Sequence, residues 1–511
     1  MYQGIKVLFI YPDFLEKTRY VKNIPGNYNE GIASLSAVLK EGGHAVSLYH
    51  QTYMPDKKEF VDTVKGYGPD IIGISIRTSA LSFATEMAGW LDDEFPDIFV
   101  MAGMYHASLA PEDVINMRGV DAVCIGEGEY VCLDFVNYFA ENGKLDLEAD
   151  SFWIKDLDGT VFKNPVRPYI TDLDKLPFPD LDIFDYPNLR SNLQQNTAEV
   201  IVSRGCIYSC TYCANAQLRN LYPDKKNYAR FRSPENSIKL LELILEKDPK
   251  IERFSFNDAI ININENWFYE FAALYRERIG KKFICNLRVE LINEKLVEEL
   301  AKTGCYLVTI GVEIGNEELR TKHLKRTMKN DHMIKVSHML KNTGIIVNTY
   351  NIIGLPYETP ELSLETIRLN AKMHTDNIII SFFYPYPTTR LREIAEEAGF
   401  LDPRIKPNDP VQLRMPQYPR SEMFYFRYSF LKLIKKYRKL YTTYTGERLE
   451  QEISRLDARI LSKNHPRRLI GAFRRRTHWI SVFLKRIASQ YLPGVYKTLR
   501  GLRDRKSAAN A

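Results

Sequence analysis

Three cysteines within a span of eight residues constrain this chain more than any other feature of its sequence. They are Cys206, Cys210 and Cys213, and residues 204–213 read RGCIYSCTYC. The run follows directly on the apolar stretch EVIV at 199–202, which predicts that the three thiolates converge in a loop after a strand. A common 4Fe-4S cluster takes four thiolates. Three would leave one iron open, and an open metal position is where substrate chemistry takes place.

Other interpretations of these cysteines fit less well. Zinc usually needs four ligands in paired knuckles, and the sequence has no second close pair. Disulfides need an oxidising compartment and normally an even number of cysteines, whereas this chain has 7 and no signal peptide is expected. Three structural cysteines clustered by chance are the remaining alternative. The other cysteines are scattered in apolar surroundings, which is typical of core residues: Cys124, Cys132, Cys285 and Cys305.

The C-x-x-x-C-x-x-C spacing, in a loop after a strand, closely resembles the signature of the radical S-adenosylmethionine (SAM) enzymes. In that family the amino and carboxylate groups of SAM chelate the open iron. The reduced cluster then splits SAM into methionine and a 5′-deoxyadenosyl radical. The resemblance therefore implies a 4Fe-4S cluster on the three cysteines, SAM, and an external electron donor of the flavodoxin or ferredoxin type.

Length and composition are typical of a large globular enzyme. With 511 residues, 45% of them hydrophobic and 26% charged, the chain should form several domains, each with its own core. No apolar run approaches the ~18 to 20 residues that span a bilayer. The first residues enter a strand at once, which predicts no targeting segment. Free thiols and an exposed cluster predict a reducing, cytoplasmic location.

The first 145 residues alternate between apolar strands and helices. Strand patterns occur at 6–12, 44–49, 70–76, 98–103 and 121–126. Fully apolar strands separated by helices indicate a parallel sheet covered on both faces. The sequence therefore predicts an α/β fold that begins with a doubly wound parallel sheet over residues 1–145. Its ligands would bind at the carboxyl ends of the strands.

Glycine and polar residues follow these strands. The segments after strands one, three, four and five read YPD, SIRT, GMYHAS and GEGE. Their order resembles the Rossmann-like cobalamin-binding domain found ahead of many radical SAM enzymes. The alternative is that the glycines only form turns. The resemblance places these residues on the cobalamin side: Pro12, Ser75, Thr78, Gly103, His106, Gly126 and Glu127.

One motif of many cobalamin proteins is missing from this region. The Asp-x-His-x-x-Gly motif, which supplies a histidine to cobalt, does not occur. In the radical SAM relatives without it, no protein histidine necessarily ligates cobalt. His106 therefore either lines the cobalamin site or is an ordinary loop histidine.

A second series of strands and helices follows a connecting region. Residues 146–194 are predicted to be a linker with a small hairpin and a proline-rich bridge. Residues 195–400 contain six strand patterns, counting the one before the cysteines, and predict a partial β/α barrel. Catalytic residues of such barrels lie at the carboxyl ends of the strands. The sequence places five polar residues there: Asn257, Asp258, Arg288, Glu313 and Asn351.

Three motifs resemble the radical SAM core in sequence and order. GVEIGN at 311–316 matches a Gly-x-Glu-Ser-Gly loop, with Ile314 where Ser is common. LKR follows at 324–326, and GLPYET at 354–359 matches a Gly-Leu-Pro-x-Glu-Thr loop. The resemblance identifies residues 195–400 as a radical SAM core.

The same resemblance implies roles for individual residues. Glu313 would lie near the SAM ribose, Arg326 would pair with the SAM carboxylate, and Tyr212 would pack beside the adenine. A solvated surface charge for Arg326 and ordinary packing for Tyr212 are the alternatives. The remaining residues of the SAM side are Asn257, Asp258, Arg288 and Gly354.

Residues 401–511 are predicted to be helical and to end in a basic tail. From Pro466 onward there are twelve Lys or Arg and one acidic residue, a net charge of +11 in a chain whose total is +6. Aromatic residues are interleaved with the basic ones, which is typical of a segment bound to an anionic membrane surface. A solvated helix face or a groove for an acidic substrate or nucleic acid is the alternative. The aromatic content favours the membrane and argues against nucleic acid.

These regions together indicate a cobalamin-dependent radical SAM enzyme. The nearest resemblance is to the cobalamin-dependent methyltransferases and the anaerobic magnesium-protoporphyrin ester cyclase type. It implies methylation of an unactivated carbon, by way of the 5′-deoxyadenosyl radical and methylcobalamin. Cyclisation, C–C bond formation or oxidation without methyl transfer is one alternative, and a non-enzymatic cofactor-binding redox module is another. A small-molecule or lipid-like substrate is expected, and the tail would place the protein at the inner membrane surface.

Overall fold

The structure, a computed structural model, describes residues 4–14, 26–405, 409–462 and 464–477, apart from the side chains of 193 and 194. The chain divides into two compact units. The first consists of Met1–Tyr208, Cys213–Glu252 and Tyr386–Thr388. The second consists of Ser209–Tyr212, Arg253–Pro385 and Thr389–Ala511.

The first unit begins with alternating strands and helices. In chain order they are β1 (Lys6–Pro12), α1 (Glu30–Glu41), β2 (Ala45–Gln51), α2 (Lys57–Tyr67), β3 (Ile71–Ser75), α3 (Leu81–Glu94), β4 (Phe99–Gly103), α4 (Tyr105–Leu109), α5 (Pro111–Ile115), β5 (Ala122–Cys124), α6 (Glu129–Asn142), β6 (Phe152–Lys155) and β7 (Val161–Lys163). The strands form one sheet in the order β2-β1-β3-β4-β5-β6-β7. Strands β1 to β5 are parallel to their neighbours.

The burial of these strands explains their sequences. β3 is buried along its whole length, and β1 is buried at every residue after Lys6. Helices therefore cover both faces of the sheet, and an unbroken run of apolar residues is favoured over an alternating one. The helices begin at polar caps, since the side chains of Asn29 and Asp56 accept hydrogen bonds from backbone N–H groups of α1 and α2. The predicted doubly wound parallel sheet is confirmed.

The strand order defines where this sheet binds a ligand. β2 lies on one side of β1, while β3, β4 and β5 follow on the other. The order thus reverses direction between β1 and β3. Open α/β sheets bind ligands at such a point, outside the carboxyl ends of the strands. The segments after Pro12 and Ser75 leave the sheet at this place.

The hairpin predicted in the connecting region extends the first sheet. β6 pairs antiparallel with β5, with Val123 opposite Trp153, and β7 pairs antiparallel with β6. The hairpin is therefore an edge of this sheet and not a free-standing link. The rest of the first unit contains α7 (Arg190–Gln195), β8 (Thr197–Val200), β9 (Ser203–Arg204), α8 (Ala214–Asn220), β10 (Arg230–Phe231) and α9 (Pro234–Lys247).

The second unit repeats the strand–helix pattern. Its elements are β11 (Arg253–Phe256), α10 (Glu265–Arg278), β12 (Lys282–Leu287), α11 (Glu294–Thr303), β13 (Cys305–Glu313), α12 (Glu317–Leu324), α13 (Asn330–Asn342), β14 (Ile346–Ile353), α14 (Pro360–Lys372), β15 (Asn377–Phe382), α15 (Arg390–Glu397), α16 (Arg420–Thr443) and α17 (Gly446–Leu461). Strands β11 to β15 are all parallel and adjacent in chain order. The predicted partial β/α barrel is confirmed.

The two faces of this second sheet differ. Thr349 and Asn351 of β14 face the helices, because both bind the side chain of Asn370 on α14. The residues between them face the other way. Tyr350 is 39% exposed, and its register partner on β15, Ile379, is 41% exposed. The face that carries them is called the inner face below, and it is exposed at these two residues.

The predicted basic tail is only partly described. Residues 478–511, which contain most of its aromatic and basic residues, lie outside the described residues. Arg467 and Arg468 both pair with the buried carboxylate of Glu422 on α16, at 2.7 and 2.6 Å. The single carboxylate of Glu422 therefore balances one of the eleven net charges of the tail, and the Arg468 side chain remains 69% exposed. Within the described ranges, no helix combines the length and hydropathy that a membrane span requires.

Candidate active site

The cysteine loop begins at a position that only glycine can occupy. Gly205 follows β9 directly and has φ +83°. A Cβ atom at this position would lie 2.1 Å from the carbonyl oxygen of Tyr228. Both the left-handed conformation and this close approach exclude a side chain. The turn that leads into Cys206 is therefore set by the backbone.

The three predicted cluster ligands, Cys206, Cys210 and Cys213, lie in one loop between β9 and α8. Cys206 and Cys210 are buried, and Cys213 is half-buried directly before α8. The Nη1 of Arg288 lies 3.5 Å from the Sγ of Cys210, where a cation stabilises the thiolate. Three thiols in one loop fit a 4Fe-4S cluster with one iron free of protein ligands.

The donor set does not fit a single metal ion. Over the described ranges of the chain, no three His, Cys, Asp or Glu side chains converge closely enough to hold one. A cluster does not need such convergence, because each thiolate binds a different iron.

The other four cysteines form two buried pairs. Cys124 and Cys132 have their sulfur atoms 4.0 Å apart, and so do Cys285 and Cys305. The hydrogen bond between the two sulfur atoms, together with burial, raises the pKa of Cys132 and likewise that of Cys285. All four side chains are buried and pack as apolar groups. They are core residues, as the sequence predicts.

A buried cluster of three polar side chains lies at the carboxyl end of β13. The Oε1 of Glu313 accepts hydrogen bonds from the Tyr212 hydroxyl at 2.9 Å and from Arg326 Nη1 at 2.8 Å. Arg326 Nη1 also donates to the Tyr212 hydroxyl at 3.1 Å. The structure thus brings together three of the residues predicted for the SAM side.

The backbone at this cluster is strained. Glu313 has φ +63°, and the register of β13 against β14 shifts between Gly311 and Glu313. Such a shift re-aims a side chain at a strand end, and a left-handed non-glycine residue is typical of functional sites. A Cβ on Gly311 would lie 2.3 Å from Glu313 Oε1 and 2.6 Å from Arg326 Nη1. Glycine at 311 therefore makes room for the ion pair.

The charges of this cluster leave capacity for a ligand. Burial raises the pKa of Glu313, and the neighbouring Arg326 opposes that effect. The Nε of Arg326 is buried and has no hydrogen-bond partner within the described part of the chain. A buried, unsatisfied guanidinium N–H fits a carboxylate ligand such as that of SAM.

A residue that sequence reasoning missed supports Arg326. Arg320 is fully buried and donates to the carbonyl oxygens of Ile314 and Met328 and to Asn330 Oδ1. Its own carbonyl accepts from the Arg326 N–H at 3.2 Å. Burial lowers the pKa of Arg320 to about 10. Through these hydrogen bonds Arg320 fixes the backbone of the loop around Arg326. No local sequence pattern distinguishes Arg320 from a surface arginine.

The glycine loop after β14 is closed by its own glutamate. Gly354 has φ +82°, and its N–H donates to Glu358 Oε2 at 2.6 Å. The Leu355 N–H and the Ser363 hydroxyl donate to the same carboxylate. Burial raises the pKa of Glu358 to about 7, against the effect of these hydrogen bonds. The motif is thus a rigid turn.

The predicted strand-end residues of β11 and β14 lie in different environments. Asn257 is exposed and accepts from Ser255, whereas Asp258 is buried and its carbonyl accepts from Asn286. The expectation that Asn351 joins the strand-end residues at the site was wrong. Its side chain binds Thr349 and Asn370 on the helix-covered face.

On the cobalamin side, the histidine predicted at the strand ends is turned into the protein. His106 is 1% exposed, its Nδ1 lies 3.2 Å from the Thr78 hydroxyl, and its Nε2 lies 3.6 Å from Asp113 Oδ2. Ser75 donates to the sulfur of Met104, directly after Gly103. His106 therefore joins the strand-end loops to each other.

A second polar group lies at the switch point, and the sequence did not predict the contacts between its members. Asp13 is buried and accepts from Asn27, while His50 Nε2 lies 3.2 Å from it. These hydrogen bonds hold the pKa of Asp13 below its ordinary value, although burial alone would raise it. Arg77 donates to the carbonyl of Pro12 at 2.8 Å. The pairing of residues from three separate strand ends gave no local signal.

This edge carries a hydrogen-bond donor that could serve a ligand with acceptor groups. The Nε of Arg77 is buried and lacks a hydrogen-bond partner among the residues that the structure describes. It lies at the switch point of the sheet, where such folds bind their ligand. Because His106 already faces Thr78 and Asp113, the edge fits a cobalamin that does not need this histidine.

The last two residues predicted for the cobalamin side belong to a different contact. Gly126 has φ +88°, and a Cβ there would lie 2.5 Å from the Tyr222 hydroxyl. The carboxylate of Glu127 forms an ion pair with Arg230 at 2.8 Å. This carboxylate is therefore engaged within the first unit.

Comparison with known proteins identifies both regions. The model of the radical SAM superfamily matches residues 200–369, and the model of the B12 binding domain matches residues 27–136. The anaerobic magnesium-protoporphyrin IX monomethyl ester cyclase of Rubrivivax gelatinosus is 26% identical, over 79% of this chain and 74% of its own. An uncharacterized methyltransferase of Pyrococcus horikoshii is 27% identical, over 71% of this chain and 78% of its own.

A solved structure shares the fold. The cobalamin-dependent S-adenosylmethionine radical enzyme OxsB, solved with aqua-cobalamin and S-adenosylmethionine, superposes with a TM-score of 0.65 at 16% identity. The match covers 99% of this chain and 81% of that one. The cysteine motif, the barrel and the family match make this chain a radical SAM enzyme. With the B12 binding domain ahead of that core, it is a cobalamin-dependent radical SAM enzyme, whose cofactors are a 4Fe-4S cluster, SAM and cobalamin.

Removal of any one of the three cysteines should abolish the cluster. We expect Cys206→Ala, Cys210→Ala and Cys213→Ala each to lower iron and sulfide content after anaerobic reconstitution by about tenfold or more. Cys124→Ala and Cys305→Ala are matched controls, because they remove buried thiols outside the loop. Full cluster content in all three loop variants would contradict the assignment.

His106→Ala should leave the cobalt coordination of bound cobalamin unchanged. The Nδ1 of His106 lies 3.2 Å from the Thr78 hydroxyl and its Nε2 lies 3.6 Å from Asp113 Oδ2, so we expect that the ring does not ligate cobalt. The visible and EPR spectra of cobalamin on the full chain are the measurement. Loss of a nitrogen-ligand signal in His106→Ala, while His50→Ala retains it, would show that His106 binds cobalt.

Proposed function

We propose that this protein methylates an unactivated carbon of a small molecule. The observation that carries the proposal is the presence of both cofactor domains in one chain that is related to a methyltransferase over 71% of its length. When bound, the cofactors supply reductive cleavage of SAM and a carrier for the methyl group. The protein's part is to hold them, to orient the substrate and to exclude water.

The residues of the second unit support a division of tasks around SAM. Cys206, Cys210 and Cys213 would hold the cluster. The Nη1 of Arg326 donates hydrogen bonds to Glu313 and Tyr212, so its Nε would donate to the carboxylate of SAM. Both hydrogen bonds to Glu313 use Oε1, so we assign Oε2 to a ribose hydroxyl.

Other predicted residues would act less directly at this site. Arg288 is divided between Cys210 and Glu290, so it stabilises a thiolate. The turn at Gly354 would shape the floor beside SAM, and Asn257 and Asp258 would complete it at the end of β11. Tyr212 keeps its proton, because burial and Glu313 raise the pKa of its hydroxyl. It is therefore a hydrogen-bond donor at all ordinary pH values.

The inner face of the second sheet supports an uncharged substrate. Asn286, Thr309, Asn348 and Asn377 lie at the same register on four neighbouring strands. The next row toward the carboxyl ends is Gly311, Tyr350 and Ile379. Amides and a hydroxyl bind neutral polar groups, while the exposed tyrosine and isoleucine bind apolar carbon. We infer a small neutral substrate with an apolar part, which includes lipid-like molecules.

The wider organisation follows the same proposal. We assign cobalamin to residues 1–145, the connecting hairpin to 146–194, the radical SAM core to 195–400 and a helical region to 401–511. Radical SAM enzymes use an external electron donor, and we propose a flavodoxin or ferredoxin type here. A peripheral contact of the basic tail with an anionic membrane is part of the proposal and concerns residues outside the described ones.

A second candidate function has its own support. The Rubrivivax cyclase matches a larger share of this chain than the methyltransferase does, 79% against 71%. Ring formation or oxidation without methyl transfer would use the same residues around SAM and the same inner face. The two functions differ in what becomes of the methyl group.

Deuterium from SAM decides between these functions. Reconstituted enzyme with cobalamin, a reductant, methyl-deuterated SAM and an extract of its own cells should yield 5′-deoxyadenosine, S-adenosylhomocysteine and a product that carries the deuterated methyl group. Mass spectrometry is the measurement, with Cys213→Ala enzyme as the control.

Two other results would each contradict methylation. Formation of 5′-deoxyadenosine and an unlabelled new product, without S-adenosylhomocysteine, would show cyclisation or oxidation. No cleavage of SAM by enzyme with a full cluster would show a redox module that is not an enzyme.

A further inference from the structure

Two arginines lie side by side next to the cysteine loop. Strands β9 and β10 form a short antiparallel ladder in which Arg204 is directly opposite Arg230. Residues directly opposite each other in such a pair lie on the same face, and like charges there repel. Arg204 is two residues before Cys206. The ladder therefore needs counter-charges at the point where the loop begins.

Glu129 supplies the first counter-charge. Its Oε1 lies 2.5 Å from Arg204 Nη2 and accepts from the Ser34 hydroxyl at 2.7 Å. Ser34 also accepts from Arg204 Nη2 at 3.2 Å. Glu129 is 4% exposed, and these partners hold its pKa below the ordinary value although burial alone would raise it. The pair is thus buried and charged.

Glu127 supplies the second counter-charge. Arg230 donates hydrogen bonds to both oxygens of the Glu127 carboxylate. Its Nη2 lies 2.8 Å from Oε1, and its Nη1 lies 3.1 Å from Oε2. The Ile170 N–H also donates to Oε2, at 2.8 Å. The guanidinium lies over the ring of Tyr169, at 4.3 Å. A bidentate pair of this kind fixes direction as well as distance.

Both carboxylates come from one loop of the cobalamin-side sheet. Glu127 directly precedes Gly128, and Glu129 is the first residue of α6, after β5. The Tyr222 hydroxyl accepts a hydrogen bond from the Glu127 N–H at 3.0 Å, and only glycine fits beside Tyr222 at 126. The loop is therefore held by its backbone while its two carboxylates reach the ladder.

We propose that Glu127 and Glu129 are positioning residues for the iron–sulfur cluster. Through Arg230 and Arg204 they fix the strand that leads into Cys206 to the loop after β5. Buried ion pairs contribute little net stability compared with apolar contacts of the same shape. The bidentate pair of Arg230 with Glu127, and the hydrogen bonds of Ser34 with Arg204 and Glu129, fix the direction of a strand better than apolar packing does. The loop after β5 thus determines where the first cysteine stands.

The test is reconstitution of the full chain with ferrous iron and sulfide, and separately with hydroxocobalamin. In Glu129→Gln we expect cluster content to fall by about threefold or more, because Arg204 loses its carboxylate partner at 2.5 Å and keeps only Glu127, at 3.8 Å, which Arg230 also uses. The EPR signal of the reduced cluster that remains should broaden, since Cys206 is less fixed. Cobalamin binding should stay at the wild-type level.

Two further variants complete the design. Glu112→Gln is the matched control, because Glu112 lies in the same unit and pairs with Lys163 on the surface, where both side chains are exposed. It should retain the cluster, its EPR signal and cobalamin. Glu129→Asp keeps the charge and shortens the reach, so its cluster content should lie between wild type and Glu129→Gln. If Glu129→Gln does not fold, Glu129→Asp alone tests the proposal.

Two results would overturn the proposal. Wild-type cluster content and EPR line shape in both Glu129 variants would show that the ion pair does not position the loop. Parallel loss of cluster, cobalamin binding and thermal stability would show a purely structural ion pair. A lower cluster content and a broadened EPR signal, with cobalamin binding and thermal stability unchanged, would support positioning.

Discussion

A cluster on three cysteines of one short loop would gather three thiolate charges there, and this is the constraint on which the rest of the site depends. A thiolate is stable only where cations or a metal stabilise it. Arg288 supplies a guanidinium 3.5 Å from Cys210. Gly205 admits a backbone turn that any side chain would block. The conformation of the cysteine loop thus depends on the contact of Arg288 with Cys210 and on the lack of a side chain at Gly205. A bound cluster would supply the remaining stabilisation of the thiolates.

Arginine–carboxylate pairs recur wherever the structure orients a residue of the site. Arg326 and Glu313 form one such pair in the second unit, and Arg204 with Glu129 forms one in the first. Desolvation offsets most of the attraction in pairs of this kind. We therefore attribute them to orientation and not to stability. In the second unit this leaves the Nε of Arg326 for a ligand, while in the first unit the carboxylates of Glu127 and Glu129 are both bound to arginines.

The sequence predicted what depends on local spacing and missed what depends on distant partners. The cysteine run, the apolar strands and the Gly354 turn are all encoded within about ten residues, the scale over which strand and turn patterns are legible. The carboxylate of Glu127 binds Arg230, 103 residues away in the chain, and this pairing has no local signal. Arg467 and Arg468 were counted as part of a surface tail, yet both bind Glu422. A charged residue has the same local signal whether its partner is water or a buried group.

The fold class followed from the same local information. Unbroken apolar strands require covered faces, so a parallel α/β sheet was predictable before any contact was known. The strand order, which places the switch point between β1 and β3, cannot be inferred from any single segment of the sequence. The same holds for the group of Asp13, His50 and Arg77, which comes from three strand ends. Such groups are visible only when the sheet is assembled.

Electron–nuclear double resonance of the reduced cluster tests the central claim most directly. The full chain would be reconstituted, reduced and mixed with SAM that carries nitrogen-15 in its amino group. The account predicts a hyperfine coupling between the cluster and that nitrogen, because the three cysteines leave one iron open to SAM. A four-thiolate spectrum without any coupling to nitrogen-15 would contradict it.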